Sequence, residues 1–386
     1  MRKISAHYIF PVTSEPIKYG VLTVDDNGTI LDISQSNEDG LQESASTEFY
    51  NGIIVPGFVN AHCHLELSHM KGVLPQRKGM GAFCEGIMTN RNNSTPDEQQ
   101  TAIKHADEQM YNEGIVAIGD ISNGDSSFKV KQNSLIFYHT FIECLGLDGK
   151  RANSIIEHAC NIEKAAEQLG LEASITPHAP YSMSGSLFAQ SSHLAYKQGI
   201  LSIHNQESAD EMELFTTGTS ALRSAFEKQG MEYEDGIFEY TNPINRILKH
   251  IGFDSVLSDR IVNMLLIHNV YTTAEDIERT MNIIPTTTWV LCPNSNIFIE
   301  GKLPPVQMFY DKKVNVAIGT DSLSSNTNLS VLDELKTLNF NFDKIPVNDL
   351  LKWATLGGAI ALKKENVLGS FDIGKRPGLT LIEEFD

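Results

Sequence analysis

The sequence contains no apolar run close to the ~20 residues that cross a bilayer, so no membrane-spanning segment is expected. Its first twelve residues are interrupted by His7 and lack a small-residue cleavage site, which argues against a secretory signal. Basic residues are also few: 30 Lys and Arg face 49 Asp and Glu, which gives a formal charge of −19. This balance argues against a nucleic-acid polymer or an anionic membrane as partner, and leaves small molecules.

Cysteine is scarce as well. The five cysteines are widely spaced and form no Cys-X-X-Cys pair, which excludes sulfur-only zinc sites and a disulfide framework. A reducing, cytoplasmic location fits this usage. No Gly-X-Gly-X-X-Gly follows the first buried strand, which argues against a dinucleotide-binding fold.

Eight short apolar segments are present, and most are separated by segments with helical period. They are Ile53 to Val59, Ile115 to Ile121, Leu135 to Leu145, Ala173 to His178, Ile200 to His204, Met264 to Val270, Thr288 to Cys292 and Val314 to Thr320. Alternating strands and helices predict an α/β fold with a parallel sheet. Eight units favour a closed (β/α)₈ barrel of the TIM type, whose usual size is roughly 250 residues, over an open doubly wound sheet.

Both ends of the chain have β character. Val21 to Val24 and Thr29 to Ile33 flank an Asn-Gly turn typical of a hairpin, and the tail from Asn366 to Glu384 is again strand-like. We expect the ends to pair into one small domain, residues 1–54 plus 365–386, beside a barrel of residues 55–364.

Two further segments carry clear local signals. Thr95-Pro96-Asp97-Glu98 has the N-cap, first-turn proline and glutamate that begin a helix. The connection after His204, about residues 208–260, is much longer than the others. It would lie on the catalytic face of a barrel, either as a lid or substrate wall or as an elaborated surface loop.

Histidines gather at the predicted strand ends. His62 and His64 stand two residues apart, so that on a strand they would point the same way and could share a metal ion. Taken alone, this pair is also typical of a turn with two solvated histidines. Further strand ends carry His178, His204, His268 and Asp321, so five of the twelve histidines lie on one predicted face.

Such a set suits a catalytic metal. Zinc and iron(II) take imidazole nitrogens and carboxylate oxygens, and a catalytic site leaves a position open for water. A bound metal lowers the pKa of water from about 15.7 towards ~7. Glu207, three residues after His204, is placed to act as general acid and base beside that water, although it could also be a surface glutamate.

Six motifs in this order resemble the amidohydrolase superfamily, within it the branch of cytosine deaminases, chlorohydrolases and adenosine-derivative deaminases. They are His62-Cys63-His64, Thr176-Pro177-His178-Ala179-Pro180-Tyr181-Ser182, His204-Asn205-Gln206-Glu207, His268-Asn269-Val270, Cys292-Pro293-Asn294-Ser295-Asn296 and Gly319-Thr320-Asp321. The resemblance covers nearly the whole chain, from Ile53 to Lys375.

The resemblance implies a (β/α)₈ barrel with a β-sandwich built from both termini. It implies one divalent metal, zinc or alternatively iron, with Glu207 as proton shuttle, His268 as partner of the bound water and the developing oxyanion, and His178 as a substrate contact. The metal ligands it implies are His62, His64, His204 and Asp321, and Asp321 is also expected to act in catalysis by orienting the attacking hydroxide. The fourth strand ends without the lysine that bridges two metals in binuclear relatives, so a single metal is expected.

The expected reaction is hydrolytic removal of an amino group from an N-heterocycle, with an adenine nucleoside derivative, such as aminodeoxyfutalosine, as substrate. Two alternatives stay open: a chlorohydrolase or other C–X hydrolase with the same metal site, and a non-catalytic ligand-binding protein. Glu66, Glu85 and Arg91 are the candidate substrate-binding residues, Arg91 because its guanidinium suits a carboxylate. A homodimer is common among such relatives, and the sequence leaves the assembly open.

Overall fold

A computed structural model describes residues 1–35, 46–234, 237, 242–251 and 262–383. Three β-sheets organise these residues: one built from both ends of the chain, and two parallel sheets from its middle. None of the helices in these ranges is long and apolar enough to cross a membrane.

The ends of the chain form one six-stranded mixed sheet. Its strands are β1 (Arg2–Ile9), β2 (Ile17–Lys18), β3 (Gly20–Val24), β4 (Ile30–Gln35), β5 (Thr47–Pro56) and, from the far end of the chain, β14 (Leu379–Ile382). The order is β14-β5-β1-β3-β4, with β2 paired to β1. The predicted hairpin β3–β4 and the predicted pairing of the two ends are therefore confirmed. The β-sandwich stays a prediction.

The apolar run Ile53 to Val59, predicted as one strand, is two strands. Ile53 lies in β5 of the terminal sheet, while β6 (Phe58–Cys63) begins after Gly57 and carries His62. A Cβ on Gly57 would lie 2.3 Å from a Val116 methyl and 2.7 Å from the Pro377 carbonyl oxygen, so only glycine fits where the chain passes between the sheets.

The middle of the chain forms two four-stranded parallel sheets. The first contains β6, β7 (Ile115–Ser122), β8 (Phe137–Cys144) and β9 (Glu172–Pro177), and the second contains β10 (Ile200–Asn205), β11 (Asn263–His268), β12 (Thr288–Leu291) and β13 (Asn315–Ile318). In each sheet the strands follow chain order. The predicted α/β fold with parallel strands is confirmed.

Hydrogen bonds join the two parallel sheets at both pairs of edges. The His204 backbone N–H donates to the His178 carbonyl at 2.9 Å, between β10 and the end of β9. At the other side, Thr320 and Asp321 donate to the His62 carbonyl at 3.0 and 3.1 Å, and Cys63 forms a parallel bridge with Asp321. The carboxyl ends of β6, β9, β10 and β13 are thus brought together.

Helices cover the strands. Those described are α1 (Gly79–Asn90), α2 (Pro96–Asn112), α3 (Phe128–Asn133), α4 (Ala152–Gln168), α5 (Gly185–Gln198), α6 (Ala209–Thr217), α7 (Ala221–Lys228), α8 (Pro243–Ile251), α9 (Ala274–Ile283), α10 (Pro293–Ile299), α11 (Val306–Asp311), α12 (Val331–Asn341), α13 (Val347–Lys352) and α14 (Gly358–Ala361). The predicted start of α2 is confirmed: Thr95 caps it, and Glu98 completes a capping box.

The long segment after β10 contributes α6, α7 and α8. Parts of the predicted insertion 208–260, namely 235–236, 238–241 and 252–260, lie outside the described residues. Two described side chains from it, Phe226 and Met231, line the cavity at the strand ends. The segment therefore supplies part of the cavity wall, as one of the two interpretations expected.

Small and branched side chains fill the space between the parallel strands beneath the strand ends. Ala61, Phe141, Ile267 and Val290 belong to this cluster, and each is buried. Burial of a valine, isoleucine or phenylalanine side chain stabilises the fold by roughly 1.5–3 kcal/mol. The cluster therefore forms a rigid layer beneath the residues at the strand ends.

Candidate active site

Five imidazoles and one carboxylate converge at the carboxyl ends of the parallel strands. His62 lies on β6 and His64 follows it, His178 follows β9, His204 lies on β10, His268 ends β11, and Asp321 comes after β13. His62, His204, His268 and Asp321 are buried, and His64 is half-buried. The structure thus brings together the predicted metal ligands along with His268 and His178.

The candidate ligand atoms have spacings that suit one metal ion. The Nε2 atoms of His62 and His64 are 3.2 Å apart, and the Nε2 atoms of His64 and His204 are 3.4 Å apart. Asp321 Oδ1 lies 3.7 Å from His62 Nε2 and 3.4 Å from His64 Nε2. Ligands ~2.0–2.1 Å from a tetrahedral Zn²⁺ lie about 3.3 Å from one another. The four side chains therefore fit a divalent metal.

The protonation states favour metal binding. Burial, together with the neighbouring His62, lowers the pKa of His64 to about 3. Burial and the surrounding imidazoles also lower the pKa of His204 well below its ordinary value. Burial alone would raise the pKa of Asp321, but the contact with His62 and the nearby histidines outweigh it and hold that pKa well below the ordinary value. Neutral imidazoles and an ionised carboxylate are the forms that bind metals.

Neighbouring groups fix the orientation of these ligands. Asp321 Oδ2 accepts hydrogen bonds from the Ser295 and Ser325 hydroxyls, each at 2.6 Å, which leaves Oδ1 facing the histidines. His204 Nδ1 is 2.8 Å from the His178 carbonyl oxygen, so it donates there and its Nε2 faces His64. Such contacts tune ligand geometry in metal sites.

Two of the side chains stand on strained backbone. His268 has φ 74° and Asp321 has φ 58°, in the left-handed region that non-glycine residues seldom adopt. The cost of such a conformation is about 1–3 kcal/mol per residue, and it persists only where the surrounding structure imposes it. The turns after β11 and β13 thus hold both side chains in place.

Glu207 lies beside this cluster in a polar contact network. Its Oε1 accepts a hydrogen bond from the Tyr181 hydroxyl at 2.5 Å, and its Oε2 lies 3.3 Å from His268 Nε2. Burial, together with the nearby Glu211 carboxylate, raises the pKa of Glu207 well above its ordinary value. A buried carboxyl whose pKa is raised in this way is suited to act as a general acid and base.

A cavity lies beside the cluster, lined in part by His64, His204, His268 and Asp321. One wall is apolar and comes mainly from α1 and the long segment after β10, for example Phe83, Met88, Phe226 and Met231. The polar lining residues include His178, Asn123, Glu143 and, at the end of α1, Arg91. An apolar slot with a few polar groups is typical of a small-molecule site.

The four predicted substrate-binding residues fall into two groups. His178 and Arg91 line the cavity. Glu66 does not: its carboxylate accepts hydrogen bonds from the Asn123 backbone N–H and the Ser126 hydroxyl. Glu85 does not either, because it faces outward and pairs with Lys228 at 2.9 Å. The expectation that Glu66 and Glu85 face the substrate is therefore corrected.

Sequence reasoning missed several residues of the site. Tyr181, Ser295 and Asn296 stand within the quoted motifs, but nothing in their spacing gives them a role. Asn296 Nδ2 lies 3.1 Å from His268 Nδ1 and orients that ring. Glu143 is one residue from the end of β8, so a search of all strand ends for carboxylates would have found it.

Most of the chain matches the model of a known protein family. The model of the "Amidohydrolase family" matches residues 53–385. The adenosine deaminase of Helicobacter pylori is 28% identical over 350 residues, which cover 86% of this chain and 79% of that protein.

Two solved structures share the fold. The Helicobacter pylori aminofutalosine deaminase in complex with methylthio-coformycin aligns with a TM-score of 0.82 at 24% identity, over 100% of this chain and 93% of that one. The zinc complex of the atrazine chlorohydrolase TrzN from Arthrobacter aurescens TC1 aligns with a TM-score of 0.73 at 17% identity, over 98% of this chain and 86% of that one.

Proposed function

Because the chain belongs to the amidohydrolase family, we propose that it is a metal-dependent aminohydrolase that removes the amino group from an adenine nucleoside derivative. The observation that carries the proposal is the convergence of three imidazole nitrogens and one carboxylate oxygen, in which His64 Nε2 lies 3.2–3.4 Å from each of the other three ligand atoms. Glu207 and His268 lie beside them. The named relative that acts on adenosine supports the choice of substrate class.

The architecture in the proposal is a (β/α)₈ barrel of residues 55–364. The two parallel sheets would be its halves, and the hydrogen bonds at both pairs of sheet edges support closure. Residues 1–54 and 365–386 would form the small β domain, with residues 36–45 and 384–386 outside the described residues. Active sites of such barrels lie at the carboxyl ends of the strands, where the histidines are.

The proposed cofactor is one zinc ion held by His62, His64, His204 and Asp321, with iron(II) as the alternative. Imidazole and carboxylate ligands suit either metal. The zinc-bound chlorohydrolase of the same fold supports zinc. When bound, the metal would supply a water of lowered pKa as the nucleophile.

The chain's own residues would move the protons. Glu207 takes a proton from the attacking water and returns it to the ring nitrogen or the leaving amine, while Tyr181 holds its Oε1 in place. His268 stands 3.3 Å from Glu207 and donates to the oxygen that develops charge. The apolar wall excludes bulk water from the reacting end.

Glu207→Gln tests this assignment. The amide cannot accept and return a proton, so turnover should fall by about 100-fold or more while the metal stays bound. Turnover is measured as ammonia release, and metal content by elemental analysis of the same preparation. Unchanged turnover would remove Glu207 from the mechanism.

A screen identifies the reaction. The zinc-loaded protein is assayed for ammonia release from adenosine, 5′-substituted adenosines, aminodeoxyfutalosine, cytosine and pterins. Chlorinated triazines are assayed in parallel for halide release, because the structural neighbour TrzN favours hydrolytic dechlorination as a second candidate. Release of halide without ammonia would replace the proposal by that candidate, and ligand binding without any turnover would favour a non-catalytic protein.

A further inference from the structure

One carboxylate oxygen in the cavity has no hydrogen-bond partner among the residues that the structure describes. Glu143 lies near the end of β8, its side chain is 4% exposed, and it lines the cavity. Its Oε1 receives no hydrogen bond from the described part of the chain. Burying an acceptor without a donor is unfavourable, so this oxygen is a place where a bound ligand would supply the donor.

The other oxygen is firmly held. Glu143 Oε2 accepts a hydrogen bond from Asn123 Nδ2 at 2.9 Å. Asn123 is itself fixed, because its backbone N–H donates to Glu66 Oε2 at 2.9 Å. Glu66 Oε1 also accepts from the Ser126 hydroxyl at 3.0 Å. A chain of three side chains therefore orients the free oxygen before any ligand arrives.

Nearby imidazoles do not supply the missing donor. His178 Nε2 lies 3.9 Å and His204 Nδ1 lies 3.8 Å from Glu143 Oε1, beyond hydrogen-bond distance. His204 Nδ1 already donates to the His178 carbonyl at 2.8 Å. These three side chains are close enough to suggest a metal site, but the engaged His204 nitrogen argues against one.

Position decides which part of a substrate would meet Glu143. The Nε2 of His204 faces His64 and the rest of the cluster, while its Nδ1 is on the side of Glu143. The width of an imidazole ring thus separates Glu143 from the reacting end of the cavity. In a nucleoside whose amino-bearing carbon lies at the histidine cluster, the sugar lies away from that carbon. The sugar is therefore the part of the substrate that would lie next to Glu143.

We propose that Glu143 Oε1 accepts a hydrogen bond from a ribose hydroxyl of the substrate, with Asn123 and Glu66 as its positioning residues. The inference rests on the proposed function, because the sugar belongs to the nucleoside. Glu66 would then act on the substrate indirectly, because it positions Asn123 and Asn123 positions Glu143. The enzyme then selects ribonucleosides over nucleosides that lack the hydroxyl bound by Glu143.

The experiment measures kcat and KM of the zinc-loaded enzyme for adenosine, 2′-deoxyadenosine and 3′-deoxyadenosine. The wild type should prefer adenosine over at least one deoxy analogue by about 10- to 100-fold in kcat/KM, the value of a hydrogen bond to a charged group. In Glu143→Gln the amide oxygen takes the Asn123 bond and the amide N–H₂ faces the cavity. The ribose hydroxyl can then only accept from this neutral amide, so the preference should fall several-fold, mainly through a higher KM for adenosine.

Glu85→Gln is the matched control, because Glu85 pairs with Lys228 outside the cavity. It should keep the preference for adenosine. Asn123→Ala provides a second variant, should Glu143→Gln fail to fold, and it should raise KM for adenosine more than for the affected deoxy analogue. Zinc content should be the same in the wild type and in Glu143→Gln.

Three results would overturn the inference while the proposed function stands. They are adenosine deamination with the preference intact in Glu143→Gln, an equal rise of KM for all three nucleosides, and loss of a metal equivalent in that variant. The second would place Glu143 against the base, and the third would make it a metal ligand. No ammonia from these three nucleosides, from 5′-substituted adenosines or from aminodeoxyfutalosine with the wild type would instead refute the proposed function.

Discussion

Asp321 and Glu207 each divide their two carboxylate oxygens between two tasks. Asp321 Oδ2 is bound by the Ser295 and Ser325 hydroxyls, and Glu207 Oε1 is bound by the Tyr181 hydroxyl. The second oxygen of each faces the histidines. Neutral hydroxyl donors thus fix the direction of each functional oxygen without adding charge to the site.

Tyr181→Phe removes the hydroxyl that holds Glu207. Glu207 then loses a hydrogen bond, and a hydrogen bond to a charged carboxylate is worth about 1.5–3 kcal/mol. We therefore expect kcat to fall roughly 10- to 100-fold, with a smaller change in KM. Steady-state kinetics with the best nucleoside substrate measures both constants.

Tyr310→Phe is the control for this change. Its hydroxyl also donates to a carboxylate, Asp349 Oδ2 at 3.2 Å, but it lies on α11 away from the site. The control should keep wild-type kcat. A Tyr181→Phe enzyme with wild-type kcat would show that Glu207 is oriented by other contacts.

The histidines could be found from the sequence because strand period and strand ends fix their direction. His62, His204 and His268 all end or nearly end parallel strands, as predicted. Glu66 and Glu85 were misplaced because they follow the strand on turns and a helix, where direction depends on tertiary contacts. Glu66 instead contacts Asn123, which is 57 residues away.

Among the elements, α8 has an effect beyond covering the strands. Its Arg246 is buried and donates hydrogen bonds to the carbonyls of Pro180 and Met183. These residues flank the turn that carries Tyr181. The long segment after β10 therefore supports the tyrosine that holds Glu207, in addition to forming part of the cavity wall.

Gly52 tests the pairing of β5 with β14. Its φ is 121°, and a Cβ there would lie 2.2 Å from the Ile382 carbonyl oxygen. Gly52→Ala should therefore lower the free energy of unfolding by about 1–3 kcal/mol or more, the cost of strained backbone together with a steric clash. Urea unfolding followed by circular dichroism measures it.

Gly28→Ala is the matched control. Gly28 has φ 82° in the β3–β4 hairpin, and a Cβ there would have no atom of the described residues within 4 Å. This variant should lower the free energy of unfolding by only about 1–2 kcal/mol, which is the cost of placing alanine in the left-handed backbone conformation. Equal losses in the two variants would show that contact with β14 contributes nothing at Gly52.

Glu334 on α12 makes stability depend on pH. Burial raises its pKa from 4.5 to about 8. The folded state therefore binds this proton more tightly than the unfolded chain. The stabilisation it gives is complete below pH 4.5 and is lost as pH rises towards 8.

Glu334→Gln removes that titration. Relative to the wild type, the variant should gain stability as pH rises from 5 to 8, because the wild type alone loses a favourable proton. Differential scanning calorimetry of both proteins across this range measures the difference in Tm. A difference that is constant with pH would show that Glu334 has an ordinary pKa.

Most strands of the two parallel sheets could be predicted to within a few residues because buried apolar runs separated by amphipathic segments have few alternatives. The tail predicted as strand-like from Asn366 contains only the short strand β14 (Leu379–Ile382), because turns occupy the residues before it. The division of the run Ile53 to Val59 into two strands could not be predicted, because a continuous apolar run does not show where the chain passes from one sheet to another. Gly57 marks the passage only once Val116 and Pro377 are seen to crowd it. The break depends on contacts with residues far away in the chain.

For the whole molecule, the candidate metal ligands come from both parallel sheets. His62 and His64 belong to the first sheet, and His204 and Asp321 to the second. An ion bound by all four would therefore tie the sheets together. Metal affinity and global stability should be coupled.

Removal of the metal should lower Tm. A ligand present at 100 times its dissociation constant stabilises the folded state by about 2.7 kcal/mol, so zinc added to chelator-stripped protein should raise Tm by several degrees. Differential scanning fluorimetry with and without zinc measures the shift, and His204→Ala should abolish most of it. An unchanged Tm on zinc addition would contradict a site shared between the sheets.

The pairing of β5 with β14 has a consequence for synthesis on the ribosome. Residues 53–56 have their antiparallel partner in residues 379–382, which are synthesised long after β5. Until then one edge of β5 is an open strand edge, of the kind that recruits other chains. Premature termination shortly before Leu379 should therefore release chains that aggregate.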